Sequence, residues 1–227
     1  MTSSVAFAAR RDALETYFDR TARDAWERLT SDAPVSGVRA TVRAGRDRMR
    51  ATLLSWLPAD MTGQRLLDAG CGTGSLAVEA ARRGAHVVAI DVAAGLVDVA
   101  RERAPDGLRI DWRSGDMLSA DLGTFDHVVA MDSLIHYAAR DMVSAVAQLA
   151  ERSGHVLFTF APQTPALAAM HALGRLFPRG DRAPAIEPVA EKRLRDLLAQ
   201  ALSARALGRD ARIASGFYTS HALEVTP

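Results

Sequence analysis

The chain has 227 residues, 48% hydrophobic and 24% charged, which suits one folded domain with or without an appendage and excludes a disordered or low-complexity protein. Its 28 Lys and Arg against 27 Asp and Glu leave a net charge of +1, too even for a protein whose main work is gripping nucleic-acid phosphates, so no nucleic-acid partner is expected. The single cysteine, Cys71, precludes an internal disulfide, and neither a secretory signal nor a run of ~20 apolar residues is present, so the expectation is a soluble cytoplasmic protein. Leu14, Tyr17, Phe18, Ala22, Ala25, Trp26 and Leu29 fall at helical spacing, predicting a helix that Ser31, Asp32 and Pro34 interrupt. A second helix follows, with Val38, Val42, Met49, Leu53 and Leu57 inward and Pro58 at its stop. On it Arg39, Arg43, Arg46 and Arg50 share a face, which is either a solvated basic surface or a contact for an anion: a substrate carboxylate, lipid headgroups or an acidic partner. Residues 1–60 thus read as a helical arm ahead of a domain over 61–227. In that domain short apolar runs at Arg65–Ala69, His86–Ile90, Leu108–Arg113, His127–Met131 and Val156–Ala161 alternate with helical stretches Leu76–Arg83, Leu96–Arg103 and Asp141–Arg152. That alternation predicts a doubly wound α/β fold on a parallel sheet. The pattern breaks after Pro162, where Leu167, Met170, Leu173, Leu176 and the loop Phe177–Arg182 form an insertion over about 162–187. A helix over Pro188–Leu202 and strands near Ala204–Arg209 and Arg212–Tyr218 complete a sheet of seven strands.

The strongest local signal is Leu66-Leu67-Asp68-Ala69-Gly70-Cys71-Gly72-Thr73-Gly74, a strand running into a glycine-rich turn with a helix beginning near Ser75. Glycines here remove Cβ atoms so that the backbone can turn tightly and a ligand can approach it at the carboxyl edge of the sheet. The spacing is G-x-G-x-G, unlike the G-x-G-x-x-G of nicotinamide and flavin binders, which leaves a NAD(P)-dependent oxidoreductase as a distant alternative. Asp68 would repel a pyrophosphate but suits a ligand carrying an ammonium and a sulfonium. Asp91 closes the next strand, 21 residues beyond Gly70, where a carboxylate can accept from both ribose hydroxyls. Asp116 and Met117 follow the third strand, placed to accept from an adenine amino group and to cover its ring. With Gly70, Gly72 and Gly74, these residues resemble the class I S-adenosylmethionine-dependent methyltransferases, which implies a Rossmann-like sheet and S-adenosyl-L-methionine as methyl donor. Cys71 has no histidine near in sequence and reads as a small turn residue, not a nucleophile.

The flanks narrow the family. Tyr17-Phe18-Asp19-Arg20-Thr21-Ala22 with Ala25-Trp26, then Val38-Arg39, Thr41-Val42-Arg43 and Gly45-Arg46-Asp47, then Met131-Asp132-Ser133-Leu134-Ile135-His136-Tyr137, resemble the magnesium-protoporphyrin IX O-methyltransferases of chlorophyll and bacteriochlorophyll synthesis. Phe160-Ala161-Pro162, Leu176-Phe177-Pro178-Arg179 and Gly216-Phe217-Tyr218 fit the same family, so the resemblance spans nearly the whole chain. It implies methylation of one propionate carboxylate of magnesium protoporphyrin IX, with another quinone or phenol O-methyltransferase as the alternative. His136 is the catalytic candidate, as orienting group or base, and Tyr137 a second hydrogen-bond donor or a packing residue. Met131 joins the cofactor-binding set, and Asp132 either binds the cofactor or braces its loop. Tyr17, Arg43, Arg46 and Arg179 are substrate candidates, the arginines for the propionates. The magnesium arrives inside the macrocycle, and no H-E-x-x-H or C-x-x-C pattern marks a protein-bound metal. The resemblance also admits a magnesium chelatase subunit as partner and a position peripheral to the photosynthetic membrane.

Overall fold

The computed structural model describes residues 5–18, 37–163, 186–202 and 204–227. The predicted helix beyond Phe18, with Trp26, and the insertion from 164 to 185, with His171 and Arg179, lie outside the described residues. Strands β1 (Arg65–Ala69), β2 (His86–Asp91), β3 (Ile110–Ser114), β4 (Phe125–Ala130), β5 (Ser153–Phe160), β6 (Ala206–Ser215) and β7 (Tyr218–Thr226) form one sheet in the order β3-β2-β1-β4-β5-β7-β6. β1 to β5 are parallel, and β7 runs antiparallel between β5 and β6. The helices are α1 (Val5–Thr16), α2 (Gly37–Trp56), α3 (Ser75–Arg82), α4 (Ala94–Arg103), α5 (Ala139–Glu151) and α6 (Glu191–Ala201).

The central strands are apolar on both faces because helices cover both. Leu66, Val87, Ala89, Val129, Leu157 and Ala222 meet Met49, Leu53 and Leu54 of α2 and Leu76, Ala77 and Ala80 of α3. The alternate residues Leu67, Val88, Ile90, Val128, Val156, Phe158 and Leu223 meet Met142, Val146 and Leu149 of α5, Leu194 and Leu198 of α6, and Phe7 and Leu14 of α1. The strand order reverses at β1, whose neighbours are β2 and β4, and such a reversal opens a crevice at the carboxyl edge of the sheet.

Helix α2 is oriented by its far end. Arg83, just past α3, donates to the Leu54 carbonyl at 2.5 Å, at the edge of the sheet opposite the glycine-rich turn. The amino-terminal half of α2 therefore projects past the carboxyl edge, where Gly216 of the β6–β7 hairpin, at φ +56°, packs on Thr41. α6 is tied to the same hairpin by ions. Arg195 meets Asp210 of β6 at 3.4 Å, and His221 of β7, its ring stacked on Phe160, meets Glu191 at 3.5 Å.

Three sequence readings need correction. α1 was not anticipated, because only Phe7 and Leu14 among its described side chains are buried, too sparse a stripe to show a period. Val38, expected inward, is 52% exposed, since α2 has left the sheet at that height. The last two strands are shifted: β6 runs unbroken from Ala206 to Ser215, and β7 extends to Thr226. The break expected between Arg209 and Arg212 lies next to an irregularity in the register of an edge strand, where charged side chains face solvent or pair across to Glu224 and His221.

Candidate active site

A cavity of about 650 Å³ opens over the carboxyl ends of β1, β2 and β4, within the usual size of ligand pockets. Its floor is the turn after β1. Gly70 and Gly74 hold φ of +89° and +79°, and a Cβ on them would overlap Ser133 and the Trp112 ring respectively. Gly70 and Gly72 line the cavity, whereas Gly74 turns away to cap α3 and pack on Trp112.

Asp68 lies 2% exposed under this turn, and its Oδ2 is buried without a hydrogen-bond partner. Burial first, and then the Asp91 carboxylate, push its pKa up to about 7, against a hydrogen bond from the Ala77 N–H. A carboxylate stranded beside a ligand cavity is short of a cation, and an ammonium on the ligand would supply one. Asp91 accepts from the Gly72 N–H at 2.8 Å and the Ala93 N–H at 3.0 Å, so it braces the glycine turn while still lining the cavity. The oxygens keep further lone pairs for ribose hydroxyls. Met117 and Met131 also line the cavity.

Asp116 is placed differently from the sequence reading. Its carboxylate takes Arg11 of α1 at 2.9 Å and the Leu118 N–H at 2.9 Å, and it borders an adjoining groove instead of the main cavity. Arg11 in the unanticipated helix, not strand order, is the cause: Arg10 pairs with Glu187 at 2.8 Å, Phe7 stacks on Tyr137 at 4.3 Å, and together these latch α1 across the site. Burial pushes the Cys71 thiol up, with Asp91 and Asp68 adding to it, so this cysteine stays neutral.

The catalytic candidates sit where expected. β4 ends at Ala130, and a short 3₁₀ turn, Leu134–His136, carries His136 to the cavity wall with Phe18 edge-on at 6.2 Å. Tyr137 also lines the cavity but is 2% exposed, and burial raises its hydroxyl pKa, leaving a donor and not a base. Tyr17, Arg43 and Arg46 line the same space. The shared arginine face of α2, read above as either solvated or anion-binding, points in: Arg39 and Arg50 line the cavity as well.

The sequence did not announce a network under that face. Asp132, at φ +54° the one described non-glycine residue in the left-handed region, takes Arg46 at 2.7 Å. The Tyr218 hydroxyl at 3.1 Å, Ser220 at 3.3 Å and Thr159 at 3.2 Å also donate to its carboxylate. Of its two open readings the structure carries the bracing one: Asp132 joins α2, the end of β4 and the β6–β7 hairpin. Arg46 and Tyr218 come from 86 residues away on either side, so no local pattern could have revealed them.

Comparison with known proteins decides the family. Residues 130–227 match the family described as magnesium-protoporphyrin IX methyltransferase C-terminus, and residues 66–153 match a methyltransferase domain family. A magnesium-protoporphyrin O-methyltransferase of Rhodobacter capsulatus is 49% identical over 97% of this chain and 98% of its own length. The chain belongs to the magnesium-protoporphyrin O-methyltransferase family. The Synechocystis enzyme of that name is 31% identical over 92% of both chains. The crystal structure of magnesium protoporphyrin IX methyltransferase from Synechocystis PCC 6803 with bound SAH superposes with a TM-score of 0.83 and 28% identity, covering 94% of this chain and 98% of that one.

The expected class I methyltransferase fold and donor therefore hold, and the protein is an S-adenosylmethionine-dependent magnesium-protoporphyrin O-methyltransferase. For such an enzyme the cavity is divided by charge. The β1–β2 side carries the carboxylates Asp68 and Asp91, and the α2 side carries the guanidiniums. No helix among the described residues is long and apolar enough to cross a membrane.

Proposed function

We propose that the chain methylates a propionate carboxylate of magnesium protoporphyrin IX to the monomethyl ester, with His136 as the group that positions the reacting oxygen. The observation that carries this reading is one cavity holding both a buried carboxylate, Asp68, with one unpartnered oxygen at the glycine turn, and an arginine-lined wall across from it. Asp68 takes the donor's ammonium, Asp91 its ribose, and Met117 and Met131 its apolar surface. Asp116, held by Arg11, reaches the adenine side through the adjoining groove. S-adenosylmethionine supplies a methyl group activated by a sulfonium charge.

A propionate has a pKa near ~4–5, as for Glu, and is ionised at neutral pH, so no strong base is required. His136 holds one carboxylate oxygen by a hydrogen bond, or takes the proton of an acid that arrives neutral. Such positioning supplies up to ~7–11 kcal/mol. Tyr137 donates a second hydrogen bond from its protonated hydroxyl. Tyr17 and Phe18 close the mouth beside His136 and exclude water, which favours a step in which a positive and a negative charge neutralise. Arg43 and Arg46 lie on the wall that receives the acidic edge of the pigment, and Arg179 is assigned to the same edge.

Hand-over of the pigment by a magnesium chelatase subunit, and attachment of the enzyme to the surface of the photosynthetic membrane, complete this reading. Incubation with S-adenosylmethionine and magnesium protoporphyrin IX, followed by chromatography, gives a monomethyl ester. No ester from folded, donor-binding protein would reject the substrate.

A further inference from the structure

Among the described residues two large apolar side chains stand exposed, Val38 and Phe217, the latter at 60%. Val38 lies in the first turn of α2 and does not line the cavity, whereas Phe217, at the turn of the β6–β7 hairpin, does. A lone exposed phenylalanine is ordinary on a protein surface. This one sits on a braced mount at the rim of a ligand cavity. On one side of it Gly216, at φ +56°, lies so close to α2 that a Cβ there would stand 2.5 Å from the Thr41 hydroxyl. On the other side the Tyr218 ring covers Gly45 of α2, and its hydroxyl donates to Asp132 at 3.1 Å. With both neighbours engaged by α2, the turn presents the Phe217 ring at the rim instead of packing it.

The size of the cavity bears on what meets that ring. A pocket for one drug-sized ligand measures ~300–1,000 Å³. The cavity bounded by the described residues, about 650 Å³, has to admit donor and pigment together. With the donor on the β1–β2 side and one propionate at His136, part of a tetrapyrrole disc extends past the rim. We propose that Phe217 is a specificity contact whose ring stacks on the face of the macrocycle that projects from the mouth; this assignment rests on the porphyrin reading above. Stacking removes from water apolar surface that ring and pigment otherwise both expose. The contact also discriminates between acceptors. A single-ring quinone or phenol fits inside the cavity and gains nothing from Phe217, whereas a macrocycle does.

Steady-state kinetics of the whole enzyme test the contact. Phe217→Ala should raise the KM for magnesium protoporphyrin IX about tenfold, the scale of one aromatic stacking contact, with kcat nearly unchanged. Affinity for S-adenosylhomocysteine should stay at the wild-type value, which also certifies the fold. Phe217→Trp should keep the wild-type KM, and Phe217→Leu should fall between. Val38→Ser, a change at an exposed apolar side chain off the cavity, should alter neither constant. A wild-type KM in Phe217→Ala overturns the contact. So does an equal rise in Val38→Ser, or a rise matched by lost S-adenosylhomocysteine affinity, which would assign Phe217 to the wall and not to the pigment. If both substitutions leave KM alone but cut co-sedimentation with anionic lipid vesicles, this tip meets a bilayer and the proposal fails. If folded, donor-binding wild type forms no ester, the porphyrin reading itself falls, and the contact with it.

Discussion

The two sides of the cavity are built by different means. The donor side is made of consecutive residues: β1, the Gly70–Gly74 turn and Asp91 one strand over, joined by hydrogen bonds such as Asp91 to the Gly72 N–H. The acceptor side is assembled from distant pieces: Arg46 on α2, Asp132 after β4, and Tyr218 and Ser220 on β7. The first is acidic, and burial without a cation raises the pKa of one carboxylate to about 7. The second is basic, and its innermost charge is already matched. A local cradle can serve every reaction that uses the same donor, whereas a wall drawn from three elements can be refitted to a new acceptor without disturbing the cradle.

The largest effect that would sharpen this division is expected from His136→Ala. Turnover should fall about a hundredfold, the scale of a lost proton-handling or orienting group, with donor affinity unchanged in a calorimetric titration. Equal loss of donor affinity would erase the boundary between the sides. Asp91→Ala should do the opposite, weakening S-adenosylmethionine by at least tenfold, since two ribose hydroxyls lose an acceptor worth about 1.5–3 kcal/mol per bond and the glycine turn loses its brace. Asp132→Asn should act on stability. Arg46 keeps a partly buried charge with a weaker partner, a loss of roughly 2 kcal/mol after allowance for the solvent that reaches the guanidinium, read as a lower melting temperature. An unshifted melting temperature would mean that the wall does not depend on this pair.

Acid should loosen the donor side alone. With the Asp68 pKa raised to about 7 by burial and Asp91, the carboxylate is ionised above that pH and neutral below it. A cationic donor needs the ionised form, so its affinity should be level at higher pH and fall about tenfold per unit below 7. Asp68→Asn should flatten that dependence. In the ligand-free protein the sign reverses: the unfolded chain releases this proton near its ordinary pKa, so the fold loses stability as pH climbs from about 4 to about 7. The smallest change is expected from Tyr137→Phe, a few-fold in turnover for one neutral hydrogen bond of about 0.5–1.5 kcal/mol, with the ring still stacked on Phe7.

What the sequence disclosed follows the same boundary. The alternation of apolar runs with helical stretches located the parallel strands within a few residues, because each element is covered on the faces its own period dictates. The glycine turn, Asp68 and Asp91 were legible because their geometry is encoded within a few dozen residues. The shared face of the α2 arginines was legible too, but its direction was not: whether a basic stripe meets water or a cavity depends on where the β6–β7 hairpin holds the helix. Asp132 left its role open because its left-handed backbone and its partners come from tertiary contacts. The engagement of Asp116 by Arg11 was hidden for a related reason, in a helix whose buried apolar side chains, among the described residues, are only Phe7 and Leu14.

The position of β7 has one more consequence. Of the seven strands it is the last in the chain, yet it lies inside the sheet, and among the described residues β6 pairs with no other strand. Throughout synthesis β5 therefore presents a bare edge, and the mouth formed by Tyr218, Thr219 and Ser220 does not exist until that final hairpin threads back. The glycine turn and Asp91 can thus take shape without the hairpin, whereas the wall that carries Tyr218 and Ser220 cannot.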